Sequence, residues 1–322
     1  MFAVYAESMS TDDPLSGLRT GERPDPVAED GWTVIDVKAA ALNHHDLWSL
    51  KGVGLKEQAL PMTLGCDAAG LDEDGNEVVV HAVVSDPSWF GDETLDPRRS
   101  LLSERYQGTF ADKVAVPRRN VVPKPPSLTF EEAACLPTAW LTAYRMLFTQ
   151  GGLKPGDSVL IQGAGGGVAT ALVALGRAGG LRVFATSRDE AKRSRALDLG
   201  AHEVFESGAR LPQRVDAVME TVGRATWSHS IKSLRPGGTL VVSGTTSGPD
   251  PDNAELTRIF FLQLRVIGST MGTRTELAAL TELLDVSGVR PVIDRVLPME
   301  QAKDGFSAMA GGDLFGKVVF TH

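Results

Sequence analysis

The sequence is poor in cysteine: Cys66 and Cys135 are the two thiols in 322 residues, and they lie far apart. No Cys-x-x-Cys pair occurs, which removes zinc ribbons and thioredoxin-type redox chemistry from consideration. Two free thiols fit a reducing cytoplasm better than one disulfide does. Positive charge is short as well, with 32 Lys and Arg against 41 Asp and Glu and a net charge of −9. A chain so balanced is not expected to bind nucleic acid or an anionic membrane, since both need clustered Lys and Arg. A locally basic nucleotide pocket stays open. Long apolar runs are missing: none approaches the ~18–20 residues that span a bilayer. The opening MFAVYAESMSTDD turns acidic after a short apolar start and has no basic stretch before a continuous apolar core. It does not read as a signal peptide, so a soluble, cytoplasmic protein is expected.

What is present suffices for two domains. Hydrophobic residues make up 42% and charged residues 23%, enough to build cores without staples. The first third reads as short strands joined by polar loops. Trp32–Ala41 alternates like a half-buried strand, Glu77–Val84 is a dense β-branched run, and Gly108–Val116 returns to strand pattern. Asp86–Gln107 has little periodicity and reads as an excursion loop. A stiff connector, Val122–Ser127 (VPKPPS), follows. Thr129 then caps a helix with Glu131 and Glu132 in its first turn, and Thr138–Gln150 continues in helical pattern.

From Ser158 strands and helices alternate, the rhythm of a doubly wound parallel sheet. The richest stretch is Ser158–Lys192, a strand, a glycine turn (Gly163-Ala164-Gly165-Gly166-Gly167-Val168), a helix, a second strand and a second turn. Glycines let backbone approach a pyrophosphate, and the helix N-terminus offers it free N–H groups. A site for NADH needs a carboxylate about 20 residues on, for the ribose 2′-hydroxyl. Here Ser187 and Arg188 stand in that place, with Lys192 following. These groups suit a 2′-phosphate, and NADPH is the expected cofactor. The end of the chain turns back to β, with Val292–Leu297 and Lys317–Thr321 flanking a helix near Met299–Ala310.

Several pieces in order carry a family resemblance: Val37–Asp46 (VKAAALNHHD), Leu64–Gly70 (LGCDAAG), Gly108–Val116, Ala133–Tyr144 (AACLPTAWLTAY), Leu153–Ala169, Leu197–Ala201 (LDLGA) and Gly316–Val319 (GKVV). Together they resemble the zinc-free, quinone-oxidoreductase-like branch of the medium-chain dehydrogenase/reductases over nearly the whole length. The resemblance implies an α/β fold. A GroES-like β-barrel catalytic domain would take residues 1–122 and 291–322, and a Rossmann domain with a doubly wound parallel sheet residues 123–290. It also implies zinc-independent transfer of hydride from NADPH to a quinone or an α,β-unsaturated carbonyl compound.

Zinc-dependent members place Cys, His and Cys where this chain has Asn43, Cys66 and Thr138, and an amide, a thiol and a hydroxyl do not make a zinc set. The Asp86–Gln107 loop, where the family's structural zinc lobe would lie, has no cysteine. His44 and His45, taken as neighbours on a strand, would point to opposite faces and not chelate. Asn43 is expected to donate to the substrate oxygen. Trp48 stands where many relatives carry a tyrosine, and its indole cannot serve as an acid. By family position Thr142, Ala164, Gly166, Gly167, Val168, Val222, Ser243, Gly244 and Lys317 join Ser187, Arg188 and Lys192 around the cofactor. Arg265–Gly272 ends the sheet, and its edge is expected to pair with a second copy in a homodimer. A second reading, from another class, is an NADPH-binding sensor or scaffold with little or no catalysis. Turnover with a simple quinone or enone separates the two.

Overall fold

The computed structural model describes residues 1–321. The chain divides into two compact units, Met1–Leu141 with Met271–His322, and Thr142–Thr270. These boundaries differ from the expected 122/123 and 290/291. The reason lies in α2 (Phe130–Ala134), which packs on strands of the first unit, and in α8 (Arg274–Ser287), which packs on the strand Val121–Pro123.

The first unit is mostly β. A small antiparallel sheet joins β1 (Phe2–Ala6), β2 (Leu18–Glu22) and β4 (Met62–Thr63). The larger sheet is built on β3 (Trp32–Ala41), whose buried and open positions alternate as the sequence pattern indicates. It pairs with β5 (Ala68–Leu71), β9 (Lys113–Pro117) and β18 (Lys317–Thr321). β6 (Glu77–Val80) and β10 (Val121–Pro123) extend one side, and β17 (Ile293–Pro298) extends the other. The expected excursion loop is not wholly irregular: β7 (Val83–Val84) pairs with β8 (Ser100–Leu101). Phe110 meets Phe320 and Phe306 edge-on in the core, centroids 5.2 and 6.1 Å apart, the aromatic geometry that ring quadrupoles favour. Gly108 allows the backbone crossing that closes this core, because a Cβ there would run into the carbonyl oxygens of Leu64 and Gly65.

The helix that follows Thr129 continues beyond α2 as a π-helical stretch, Leu136–Trp140, then α3 (Leu141–Tyr144) and a second π-helical stretch, Arg145–Gln150. The second unit is a six-stranded, all-parallel sheet. In chain order its strands are β11 (Ser158–Ile161), β12 (Arg182–Thr186), β13 (Glu203–Phe205), β14 (Val215–Glu220), β15 (Leu234–Val242) and β16 (Arg265–Gly268). They lie in the order β13-β12-β11-β14-β15-β16. That reversal at β11/β14 is the switch point of a dinucleotide-binding fold. α4 (Gly167–Ala178), α5 (Glu190–Asp198), α6 (Trp227–Ser233) and α7 (Leu256–Phe261) make the connections. α4 is buried over most of its length, so its alanines and leucines pack rather than face water. Among the described residues no helix is long and apolar enough to cross a membrane.

Candidate functional site

In the second unit the expected cofactor residues gather at the C-terminal ends of the strands. Gly163 takes φ of 74° and Gly165 of 133°, conformations open to glycine. Gly166 is the N-cap of α4, carries no side chain to cap it, and has open space where a Cβ would stand. The start of α4 is thus left free for an anion, the feature that a pyrophosphate uses. Any Cβ on Gly163 would come within 2.8 Å of Val222, so the glycine turn and the β14 turn lie against each other. Ala164 N donates to Thr186 O (2.7 Å) and ties the turn to the end of β12.

Two polar groups that the sequence did not single out hold this arrangement. The buried Glu220 carboxylate accepts from Val222 N (2.7 Å), Gly223 N (3.0 Å) and Ser230 Oγ (2.6 Å), and Glu220 O accepts from Ser243 N (2.9 Å). Gln162 accepts from Thr186 Oγ1 (2.6 Å) and donates to Ser230 Oγ (2.9 Å). A buried polar group is stable only when so satisfied. At the second turn Ser187 is buried and Arg188 exposed. The acid that follows, Asp189, is the N-cap of α5 and accepts from Lys192 N (3.1 Å), so its carboxylate serves the helix. Thr142 is buried at the opening of the unit.

The first unit gathers a second cluster. α1 (His44–Leu50) begins after Leu42 and the N-cap Asn43, which follow β3, so His44 and His45 stand on a helix, not on a strand. The opposite-face argument therefore does not apply to them. Asp46 fixes the helix start: Oδ2 accepts from Asn43 N (2.8 Å) and Oδ1 from Gly65 N (3.1 Å). Asn43 Nδ2 donates to Asp67 Oδ2 (2.8 Å) and Ala41 O (3.2 Å), while Oδ1 accepts from Lys317 Nζ (2.5 Å). The amide expected to meet substrate is thus engaged inside the unit. Lys317, expected at the cofactor, is buried and donates to Leu42 O (2.8 Å), Asn43 Oδ1 and Asp67 Oδ2 (3.3 Å). Its three N–H donors have three acceptors, which leaves none for a nucleotide. Thr138 Oγ1 donates to Asp67 Oδ1 (2.5 Å) and lies 3.5 Å from Cys66 Sγ.

These contacts test the unit for zinc. Asn43, Cys66 and Thr138 do come together, but the Lys317 ammonium already neutralises Asp67 and holds the Asn43 carbonyl oxygen. A second cation would face that ammonium with one thiol as its only strong ligand, so the three positions do not suit zinc. Burial pushes the Cys66 thiol up, away from the thiolate a metal needs. Ligand atoms of His45, Asp46 and Cys66 also lie within 4.8 Å of one another. Both Asp46 oxygens already accept from backbone, and that trio is a weak set as well. Cys135 is more inert still, its thiol pushed up to about 12 by burial. Trp48 lies on the open side of α1, its ring 6.4 Å from that of His44.

A parallel sheet of this order with an uncapped glycine turn at its switch point is a dinucleotide-binding architecture. The chain belongs to the medium-chain dehydrogenase/reductase superfamily, whose members use nicotinamide cofactors. The family described as alcohol dehydrogenase GroES-like domain matches residues 29–126, and that described as zinc-binding dehydrogenase matches residues 167–286. A solved NAD-dependent alcohol dehydrogenase is 32% identical, with a TM-score of 0.92 and 100% of both chains covered. The acryloyl-coenzyme A reductase of Sulfurisphaera tokodaii is 26% identical over 324 residues, 95% of this chain and 97% of that one. The quinone oxidoreductase of Mus musculus is 28% identical over 293 residues, 86% and 85% of the two chains. These relatives are oxidoreductases.

Proposed function

We propose that this chain is an NADPH-dependent reductase of α,β-unsaturated carbonyl compounds and quinones that works without zinc, as a homodimer in a reducing cytoplasm. The observation that carries the cofactor choice is the turn after β12. It carries Ser187 and Arg188, and its one carboxylate, Asp189, caps α5. Ser187, Arg188 and Lys192 would hold the 2′-phosphate. Ala164, Gly166, Gly167 and Val168 would hold the pyrophosphate, with Thr142, Val222, Ser243 and Gly244 placing the rest. When bound, the cofactor supplies the hydride. Two named relatives, an acryloyl-CoA reductase and a quinone oxidoreductase, support the substrate class.

In this reading Asn43 and Lys317 position Asp67 and the segment around Cys66, and Trp48 offers an apolar wall. A side-by-side titration with NADPH and NADH tests the cofactor. NADPH should bind at least ~10-fold tighter, about 1.4 kcal/mol; tighter NADH binding would refute the Ser187/Arg188 assignment. One observation favours the second reading, a cofactor-binding scaffold: the Asn43 amide has no free donor for a substrate oxygen. Absence of turnover with every enone and quinone, despite tight NADPH binding, would select it.

A further inference from the structure

The second unit carries a cleft of about 510 Å³ that is lined by none of the residues assigned to the cofactor. It opens where β11, β12 and β14 begin, at the opposite end of the parallel sheet from the glycine turn. Arg177 reaches it from the last turn of α4 and Arg182 from the first position of β12. His202 comes from the segment before β13 and Arg214 from the segment before β14, and Ser158 and Asp216 complete the set.

Donors meet there without an acceptor. Val183 N donates to His202 Nδ1 (3.0 Å), and Arg177 Nη1 stands 2.6 Å from His202 Nε2. A guanidinium has only donors, and a neutral imidazole has one N–H and one acceptor nitrogen. Both ring nitrogens face donors, so either tautomer sets one N–H against another. The Val183 N–H is fixed by its strand, which puts the ring proton on Nε2 and the conflict on the Arg177 side. Charging the ring would add a further donor. Burial, with Arg177 and Arg182 beside it, holds His202 below its ordinary pKa against the pull of Glu203.

No neighbouring group supplies the missing acceptor. Asp216 Oδ2 accepts from Ser158 N (2.8 Å) and Ser158 Oγ (2.6 Å), and Oδ1 from Arg235 Nε (2.5 Å). The last carbonyls of α4 are taken as well: Leu175 O, Gly176 O and Arg177 O accept from Gly179 N (2.8 Å), Leu181 N (2.9 Å) and Gly180 N (3.1 Å). The guanidiniums of Arg182 and Arg214 make no hydrogen bond or ion pair among the described residues.

We propose that this cleft binds a phosphate group, as the free ion or as a monoester, with Arg177, Arg182, Arg214 and the His202 Nε2–H as its donors. One phosphate oxygen can accept from Nε2–H and Nη1 together, which removes the conflict between them. Arginine forks suit phosphate oxygens. Donors arriving from four separate segments match a tetrahedral dianion better than a planar carboxylate with one charge. The three guanidiniums outnumber the nearby carboxylates, Asp216 and Glu203, and Asp216 is shared with Arg235. The cleft is therefore positive in a chain of net charge −9, and such a local field gathers anions. All four donor side chains are exposed, which leaves room for the organic part of a monoester. The site stands whether or not the unit prefers NADPH, because it lies at the other end of the strands.

The test follows the His202 ring by proton–nitrogen NMR correlations in the full chain. Inorganic phosphate and glycerol 3-phosphate are titrated in turn at fixed ionic strength, with chloride as the control. Before titration the ring should be the neutral Nε2–H tautomer. Phosphate should shift the Nε2 signal to saturation and raise the pKa of the ring, since a bound anion favours the charged form. The Arg182→Gln, Arg214→Gln double variant should bind phosphate at least ~10-fold more weakly, because two charge-assisted donors are lost. Both positions are exposed, so its unfolding midpoint should match wild type. Arg188→Gln, in the turn proposed for the 2′-phosphate, should leave the His202 response unchanged. A response to both probes assigns the cleft to monoesters as well as the free ion, and a response to inorganic phosphate alone assigns it to the free ion. No response to either probe, an equal response to chloride, or undiminished binding in the double variant would overturn the proposal. So would a His202 response that disappears in Arg188→Gln.

Discussion

At the scale of single residues, the buried Lys317–Asp67 pair decides what the first unit can do. Both side chains are almost fully buried, and the ammonium lies 3.3 Å from the carboxylate. Burial pushes the Asp67 pKa up, and the Lys317 ammonium works against that rise, so the Asp67 charge leans on its partner. Removing one partner of a buried pair leaves an uncompensated charge and costs about 3–5 kcal/mol. Lys317→Met should therefore lower unfolding stability by about that amount, read by denaturant titration. If stability were unchanged, the pair would not hold this cluster. Adding Asp67→Asn should recover part of the loss, because the orphaned charge is then gone. Only some of this was legible in the sequence. Asn43, Cys66 and Thr138 were readable as altered zinc positions through family resemblance. The Lys317–Asp67 contact was not, because its partners are 250 residues apart and nothing local marks a pair. Glu104 escaped notice for a similar reason: it lies in a stretch without periodicity and meets His45 only across 59 residues of chain.

At the scale of elements, the proposed preference for NADPH rests mainly on α5. Asp189 caps this helix, and Arg193 Nη1 reaches back to Ser187 O (2.8 Å). Together they set the shape of the turn that presents Ser187 and Arg188. Losing an N-cap costs typically about 1 kcal/mol. Asp189→Ala should thus lower stability by about that much and weaken NADPH binding several-fold more than NADH binding, measured by cofactor fluorescence. Equal weakening of both would show that the turn does not read the 2′-phosphate. The β–α alternation of the second unit was legible almost strand for strand, since buried parallel strands and glycine ends leave strong local signals. The start of α1 was misread as strand because β3 runs into it without a glycine or proline. The Asn43-x-x-Asp46 spacing, with an acid three residues into a helix, was the signal that could have found it. The sheet of β1, β2 and β4 was also unread, its short strands being fixed by pairing rather than by pattern.

For the whole molecule, the remaining question is how many copies act together. β16 is the last strand at one edge of the six-stranded sheet, with no neighbour on its far side among the described residues. Such an edge invites pairing with another chain. Apolar side chains are exposed on both elements that end the unit: Leu256, Phe260 and Phe261 on α7 are 69%, 69% and 77% exposed, and Val266 on β16 is 43% exposed. Two phenylalanines so open to water add an apolar surface that a folded monomer has reason to bury. The same strand on a second copy, related by a two-fold axis, would satisfy the edge and close the assembly at two. Sedimentation should then give about twice the 34.3 kDa of the chain, and the Phe260→Asp, Phe261→Asp double variant should run as a monomer while keeping NADPH binding, because α7 holds none of the residues assigned to the nucleotide. A wild type that sediments as a monomer at micromolar concentration would end the dimer proposal. A double variant that stays dimeric would confine the contact to β16 itself and leave α7 exposed for some other reason.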